Sequence, residues 1–324
     1  MGNILGTKSK LVCGHISGIV LFAIIMVIYG YNKFIGDGDN VPVKDNGCVL
    51  HGGLNGASDI TPVGPNSALI GNADRENWLL HDIIENEGKE MGKISLFKSD
   101  SQPGDTLPNL LTSSGFPIDT VDFNPHGMAL TPNWVSTTEK QLFVVNHAWN
   151  RGGERIEVFD VTLDSDGNAE SLTWRYAMGD LAEGQADGVP VAIKDSKFQQ
   201  DNYGQFNGLA VSGKDEVLVA RWFGPYEFLP GEEGYTSAQP ANKNFDTSIT
   251  YMKSEADADG ARTTTWETKA EGFLFVKCAA FNNDGSEVYF SDTIVQQISA
   301  FTWDKEAKTL TRNEEGPKNA KGRP

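Results

Sequence analysis

The sequence predicts an all-β chain of repeated four-stranded units, set behind a single membrane-spanning helix. Three observations carry that reading. Short apolar runs of strand chemistry recur in the same order through residues 37–324, separated by turns rich in Gly, Asn and Asp. Gly reaches 35 of 324 residues, while helical periodicity is scarce. One apolar stretch, residues 11–31, stands apart from everything that follows it.

That stretch, LVCGHISGIVLFAIIMVIYGY, holds no formally charged side chain. At ~1.5 Å per residue it reaches about 30 Å as a helix, the thickness of a bilayer's hydrocarbon core. Lys8 and Lys10 precede it, and Asp37 and Asp39 follow it. The positive-inside rule then puts residues 1–10 in the cytosol, 11–31 in the membrane as a signal anchor, and the rest in a lumen or outside the cell. A cleaved signal peptide and a secreted product are the alternative, although no small-x-small cleavage site follows Tyr31 cleanly. Residues 1–36 carry three lysines and no acid, so the −17 of the whole chain becomes −20 over residues 37–324. Such acidity excludes a nucleic-acid partner, which would need a basic face.

Beyond the anchor, SALIGNA (67–73) and GKISLFK (92–98) read as a first, vague unit. QLFVVNH (141–147), RIEVFDV (155–161) and SLTWRYAM (171–178) form a clearer second one. GLAV (208–211), EVLVARW (216–222), SITYMK (248–253) and TTTWETK (263–269) form a third. AAFNNDG (279–285), EVYFSDT (287–293), QISAFTW (297–303) and TLTR (309–312) close the series. Repeated four-strand units of this kind are β-propeller blades, and a β-sandwich would not repeat its strand signature in order. An incomplete propeller is therefore expected over residues 45–312, with about four blades, and a polar, disordered tail over 313–324. Residues 181–204 and 224–246 break the rhythm as long polar loops, expected on one face of the propeller.

The histidines are few, at positions 15, 51, 81, 126 and 147. His126 in DFNPHGMAL sits at a strand entrance, and His147 ends the apolar run LFVVNH, where an inner strand would deliver it to the channel mouth. Two structural histidines are the alternative that spacing alone leaves open. No HExxH, GxSxG or phosphate-binding glycine loop occurs, so a helical zinc site and a hydrolase serine elbow are not indicated.

The strings FNPHG and LFVVNH, with IEVF after them, resemble the paraoxonase/arylesterase family of calcium-dependent esterases and lactonases. GASDITPVGPNSALI (56–70), QFNGLAV (205–211) and EGF with NNDGSEVYFSD extend the likeness from about Cys48 to about Leu310. Outside the histidine strings it is the looser grammar of gluconolactonase-like and strictosidine-synthase-like propellers. The resemblance implies a six-bladed propeller, often with an uncleaved hydrophobic N-terminus. It implies hydrolysis of a small-molecule ester or lactone, with His126 and His147 as the dyad that activates water. It also implies Ca2+, with Asn207 as a ligand of the catalytic ion, and Asp59 and the Met128 carbonyl on a structural one. Family members pin their closure with a disulfide, for which Cys48 fits the first partner and Cys278 is an available alternative mate.

Departures accompany the likeness. Ser58 stands where the family has a second acid, Gly208 where it has Asp, and Lys277 where it has an Asn ligand. An ammonium donates and cannot ligate a cation. About four blades are legible before Leu310, so the chain is expected to be a C-terminally truncated member of its type. A non-catalytic propeller that binds a partner through its loops is the competing class.

Overall fold

Strands laid end to end by short polar turns have only local partners, and here they fold as a series of antiparallel meanders. The computed structural model describes residues 54, 57–73, 91–102, 104–148, 152–179, 181–183, 190–192, 206–221, 247–292 and 296–313. The predicted cytosolic segment and anchor, Cys13, Cys48 and the tail from residue 314 lie outside these, as does most of both long loops. Among the described residues no helix is long and apolar enough to cross a membrane.

The first sheet holds β1 (Ala57–Val63), β2 (Ser67–Asn72) and β3 (Lys93–Lys98) in that order. A 3₁₀ turn at Leu111–Ser113 precedes the second sheet. This is a four-stranded meander of β4 (Pro125–Leu130), β5 (Lys140–Ala148), β6 (Gly153–Leu163) and β7 (Ala169–Met178). β8 (Leu181–Glu183) and β9 (Pro190–Ala192) pair as a small ribbon inside the stretch expected to be loop alone. The third sheet runs β10 (Phe206–Gly213), β11 (Glu216–Arg221), β12 (Thr247–Ala256) and β13 (Arg262–Phe273). The fourth runs β14 (Val276–Phe281), β15 (Glu287–Asp292), β16 (Gln297–Asp304) and β17 (Thr309–Arg312).

The architecture is all-β, four propeller blades in sequence, with β1, β4, β10 and β14 as neighbouring inner strands. Four blades are described, not six. Three apolar layers join them. Leu69, Ile94, Leu142 and Phe159 fill the space between blades one and two. Phe143, Val158, Phe206 and Val219 fill the second, and Leu218, Ile249, Phe290 and Trp303 the third. Each middle blade is thus covered on both faces, which is why LFVV and EVLVA are unbroken apolar runs rather than alternating ones.

The inner strands approach one another at backbone contact, and glycine makes that distance available. A Cβ on Gly127 would stand 2.1 Å from the Asn207 carbonyl oxygen. One on Gly208 would stand 2.6 Å from the Lys277 carbonyl oxygen. The Gly208 that departs from the family pattern therefore has a packing reason here. On the outer faces of the first and last blades, Ile60 is 59% and Ile298 57% exposed.

Candidate functional site

Every blade opens its inner strand with a bulge of one residue. Pairing passes from Pro125↔Asn146 to Met128↔Val144, three steps against two. The same shift separates Phe206↔Arg221 from Leu209↔Val219, and Val276↔Asp292 from Ala279↔Phe290. β1 shows it between Ala57 and Asp59. A bulge bends its strand and re-aims the side chains that it sets aside. Those side chains include His126, Asn207 and Lys277, on three consecutive blades.

His126 and His147 come together, with His126 Nδ1 2.9 Å from His147 Nε2 and the rings set edge to face. The sequence expectation put His147 on an inner strand; it lies on β5, second in its blade, and reaches inward to His126. A third member was not foreseen. Glu154, wholly buried, places Oε2 2.9 Å from His147 Nδ1, while its Oε1 accepts the Phe206 N–H at 3.2 Å. Glu154 is the direct cross-strand partner of His147 in the β5–β6 ladder. Gly152 and Gly153, at φ of 127° and 75°, bring the chain back at the spacing that sets this register.

The tautomers follow from these contacts. A carboxylate can only accept, so His147 Nδ1 carries the proton that meets Glu154. Neutral His147 then has its lone pair on Nε2, which accepts from His126 Nδ1–H. His126 is left with its basic lone pair on Nε2.

Further hydrogen bonds fix the strand ends that carry these groups. Asn146 accepts the Asn124 N–H at 2.8 Å and donates to the Asp122 carbonyl and Glu157 Oε1, both at 2.9 Å. Asn124 in turn accepts the His147 N–H through its carbonyl at 3.1 Å. Glu157 also accepts from Trp174 Nε1 at 2.9 Å and lies 3.5 Å from Arg155 Nε. Burial holds the Arg155 guanidinium below its usual pKa, while the Glu157 charge works in the opposite direction.

The residues expected to hold calcium are placed differently from a cation cage. Asp59 and Met128 do meet, but through a direct bond in which the Met128 N–H donates to Asp59 Oδ2 at 2.7 Å. Asp59 Oδ1 accepts the Ile60 N–H at 2.8 Å, and the Met128 carbonyl accepts from Thr61 Oγ1 at 3.4 Å. Ser58 Oγ spans the Gly71 and Pro125 carbonyls, at 3.1 Å each, so this corner staples blade one to blade two. Asn207 is 4% exposed and its Nδ2 is buried without a hydrogen-bond partner among the described residues. Among the described residues no three His, Cys, Asp or Glu side chains converge as metal ligands do. Calcium wants six to eight oxygens, and the described donor set does not supply such a shell. Cys278 is an exposed free thiol.

No protein-family model and no curated protein sequence matches the chain. Among solved structures, one from Lactobacillus plantarum is similar at 12% identity and a TM-score of 0.32, over 82% of this chain and 72% of that one. The periplasmic gluconolactonase of Pseudomonas aeruginosa is similar at 12% identity and a TM-score of 0.28, over 80% of this chain and 84% of its own. Nothing about the chemistry of this chain rests on likenesses of that extent.

Proposed function

We propose that this propeller hydrolyses a small uncharged ester or lactone, with the His126–His147 pair as the base that activates water. One observation carries the reading: a buried His126–His147–Glu154 line, both links 2.9 Å long, at the mouth of an inner strand. Two imidazoles in series, ending on a buried carboxylate, form a line along which a proton taken from water can be passed.

In this reading water attacks the acyl carbon and its proton passes to His126 Nε2. The Nδ1 proton of His126 shifts toward His147, and the charge gained is balanced by Glu154. The carbonyl π pair moves onto oxygen, then returns as the acyl–oxygen bond breaks. The leaving alkoxide takes the proton back from His126, and acid plus alcohol result. No step passes through calcium, because the described donors do not form its shell.

The test is hydrolysis of phenyl acetate and δ-valerolactone by the full chain beside His126→Gln. The substitution is expected to lower kcat by about 10²-fold or more, the usual worth of a positioned base. Equal rates in both proteins would end this reading. Absence of hydrolysis by either would favour a non-catalytic binding propeller.

A further inference from the structure

Three of the four bulges carry an imidazole, an amide and an ammonium in consecutive blades: His126, Asn207 and Lys277. Their strand mouths are in backbone contact, Gly127 against the Asn207 carbonyl and Gly208 against the Lys277 carbonyl. Two of the three groups have donors that no described residue accepts. Asn207 Nδ2 is buried without a hydrogen bond among the described residues. Lys277 is half-buried and has no hydrogen-bond or ion-pair partner among the described residues. This happens in a chain with 44 acids against 27 bases, where other lysines do find acceptors: Lys308 meets Glu216 at 2.7 Å and Lys269 meets Glu267 at 2.6 Å. A buried amide donor left without an acceptor is rare in a folded protein. An uncommitted ammonium on the adjacent rim position points to the same missing partner, an anionic oxygen.

We propose that Asn207 Nδ2 and Lys277 Nζ form an oxyanion-binding pair beside the His126 base. The inference rests on the hydrolytic reading and adds to it a substrate class: a neutral acyl compound whose carbonyl oxygen becomes negative during attack and whose acid product leaves as a carboxylate. As the water–carbon bond forms, the carbonyl pair moves onto oxygen and both donors take it. When the acyl–oxygen bond breaks, the pair returns to the carbonyl, and the carboxylate formed on ionisation meets the same two donors. Lys277 puts fixed positive charge where the family resemblance assigns an ion, so the site needs no divalent cation for this task. Preorganised donors of this kind act mainly on the transition state.

The experiment uses the full chain and two readouts. Hydrolysis of δ-valerolactone is measured with and without chelator in wild type, Lys277→Met and Lys277→Arg. Binding of 5-hydroxypentanoate, the product carboxylate, is measured by ligand-observed NMR in the same proteins and in His126→Gln. Lys277→Met is expected to lower kcat by about 10² to 10³ with a smaller change in KM. It should weaken product binding by about tenfold or more, the worth of a charge-assisted hydrogen bond. Lys277→Arg restores most of the binding, chelator changes neither readout, and His126→Gln still binds product. Product binding and hydrolysis unaffected by Lys277→Met would overturn the inference, as would loss of either on chelation. Product binding that depends on Lys277 in a chain that hydrolyses nothing would sustain the anion site while ending the hydrolytic reading.

Discussion

The residue that does most to organise the site is Glu154, and its place shows what a sequence displays and what it withholds. His126 and His147 were legible because FNPHG and VVNH are distinctive strings. Glu154 sits in WNRGGE, where an acid after two glycines reads as a solvated turn. Register decides otherwise. With β5 and β6 joined by residues 149–152, His147 falls opposite Glu154, and opposed side chains in an antiparallel pair touch. Carrying the hairpin through to its pairing would have found it. In the proposed reaction Glu154 does not reach the reacting atoms; its contact is with His147 Nδ1, which it would orient. Glu154→Gln is accordingly expected to lower kcat by about tenfold or more with little change in KM, and Glu154→Asp to recover part of it. Imidazole 15N spectra should show His147 protonated on Nδ1 in the wild type and a mixture of tautomers in Glu154→Gln. Unchanged tautomers would assign Glu154 a packing role only.

At the scale of strands, the blades were legible and the bulges were not. Apolar runs gave β5, β6, β7, β11, β15 and β16 to within a few residues. β1 was masked and β4 marked only by its entrance, since ASDITPV carries Pro and an acid and PHGMAL opens on Pro, where a strand pattern wants alternation. Their positions are set by the neighbouring inner strands, a tertiary constraint. Gly127 and Gly208 mark that constraint most sharply, because backbone oxygen cannot yield as a side chain does. Gly127→Ala and Gly208→Ala should each destabilise by about 1–3 kcal/mol, the range for overpacking. Urea unfolding checks this, and wild-type midpoints in both would mean that the inner strands are not so close.

Between blades two and three the contact is polar as well as apolar. The Tyr176 hydroxyl on β7 donates to Asp215, with the Arg262 guanidinium 3.6 Å over its ring. Burial, then the Asp215 hydrogen bond, raises the Tyr176 pKa far above its ordinary value. The folded state therefore holds the Tyr176 proton more tightly than the unfolded chain does. Stability from this contact is full below about pH 10, where unfolded tyrosine ionises, and falls as pH rises further. Thermal unfolding between about pH 8 and 11 should show a steeper loss in wild type than in Tyr176→Phe. Parallel curves would remove Tyr176 from the account.

At the largest scale, the described blades follow one another in sequence, and the bulges of three of their inner strands carry His126, Asn207 and Lys277. The fold class was legible because strand grammar repeats. The blade count of the resemblance was not a property of these residues, and the described chain has four sheets of blade form. The acidic surface remains a general solubilising feature, while Lys277 has no hydrogen-bond or ion-pair partner among the described residues. The central claim is that His126 and His147 act as one base, and a double-mutant cycle tests it most directly. Initial rates of phenyl acetate hydrolysis are compared in wild type, His126→Gln, His147→Gln and the double variant. Residues that work as a unit are strongly non-additive, so the double variant should be no slower than the slower single one. Losses that multiply, or four equal rates, would contradict it.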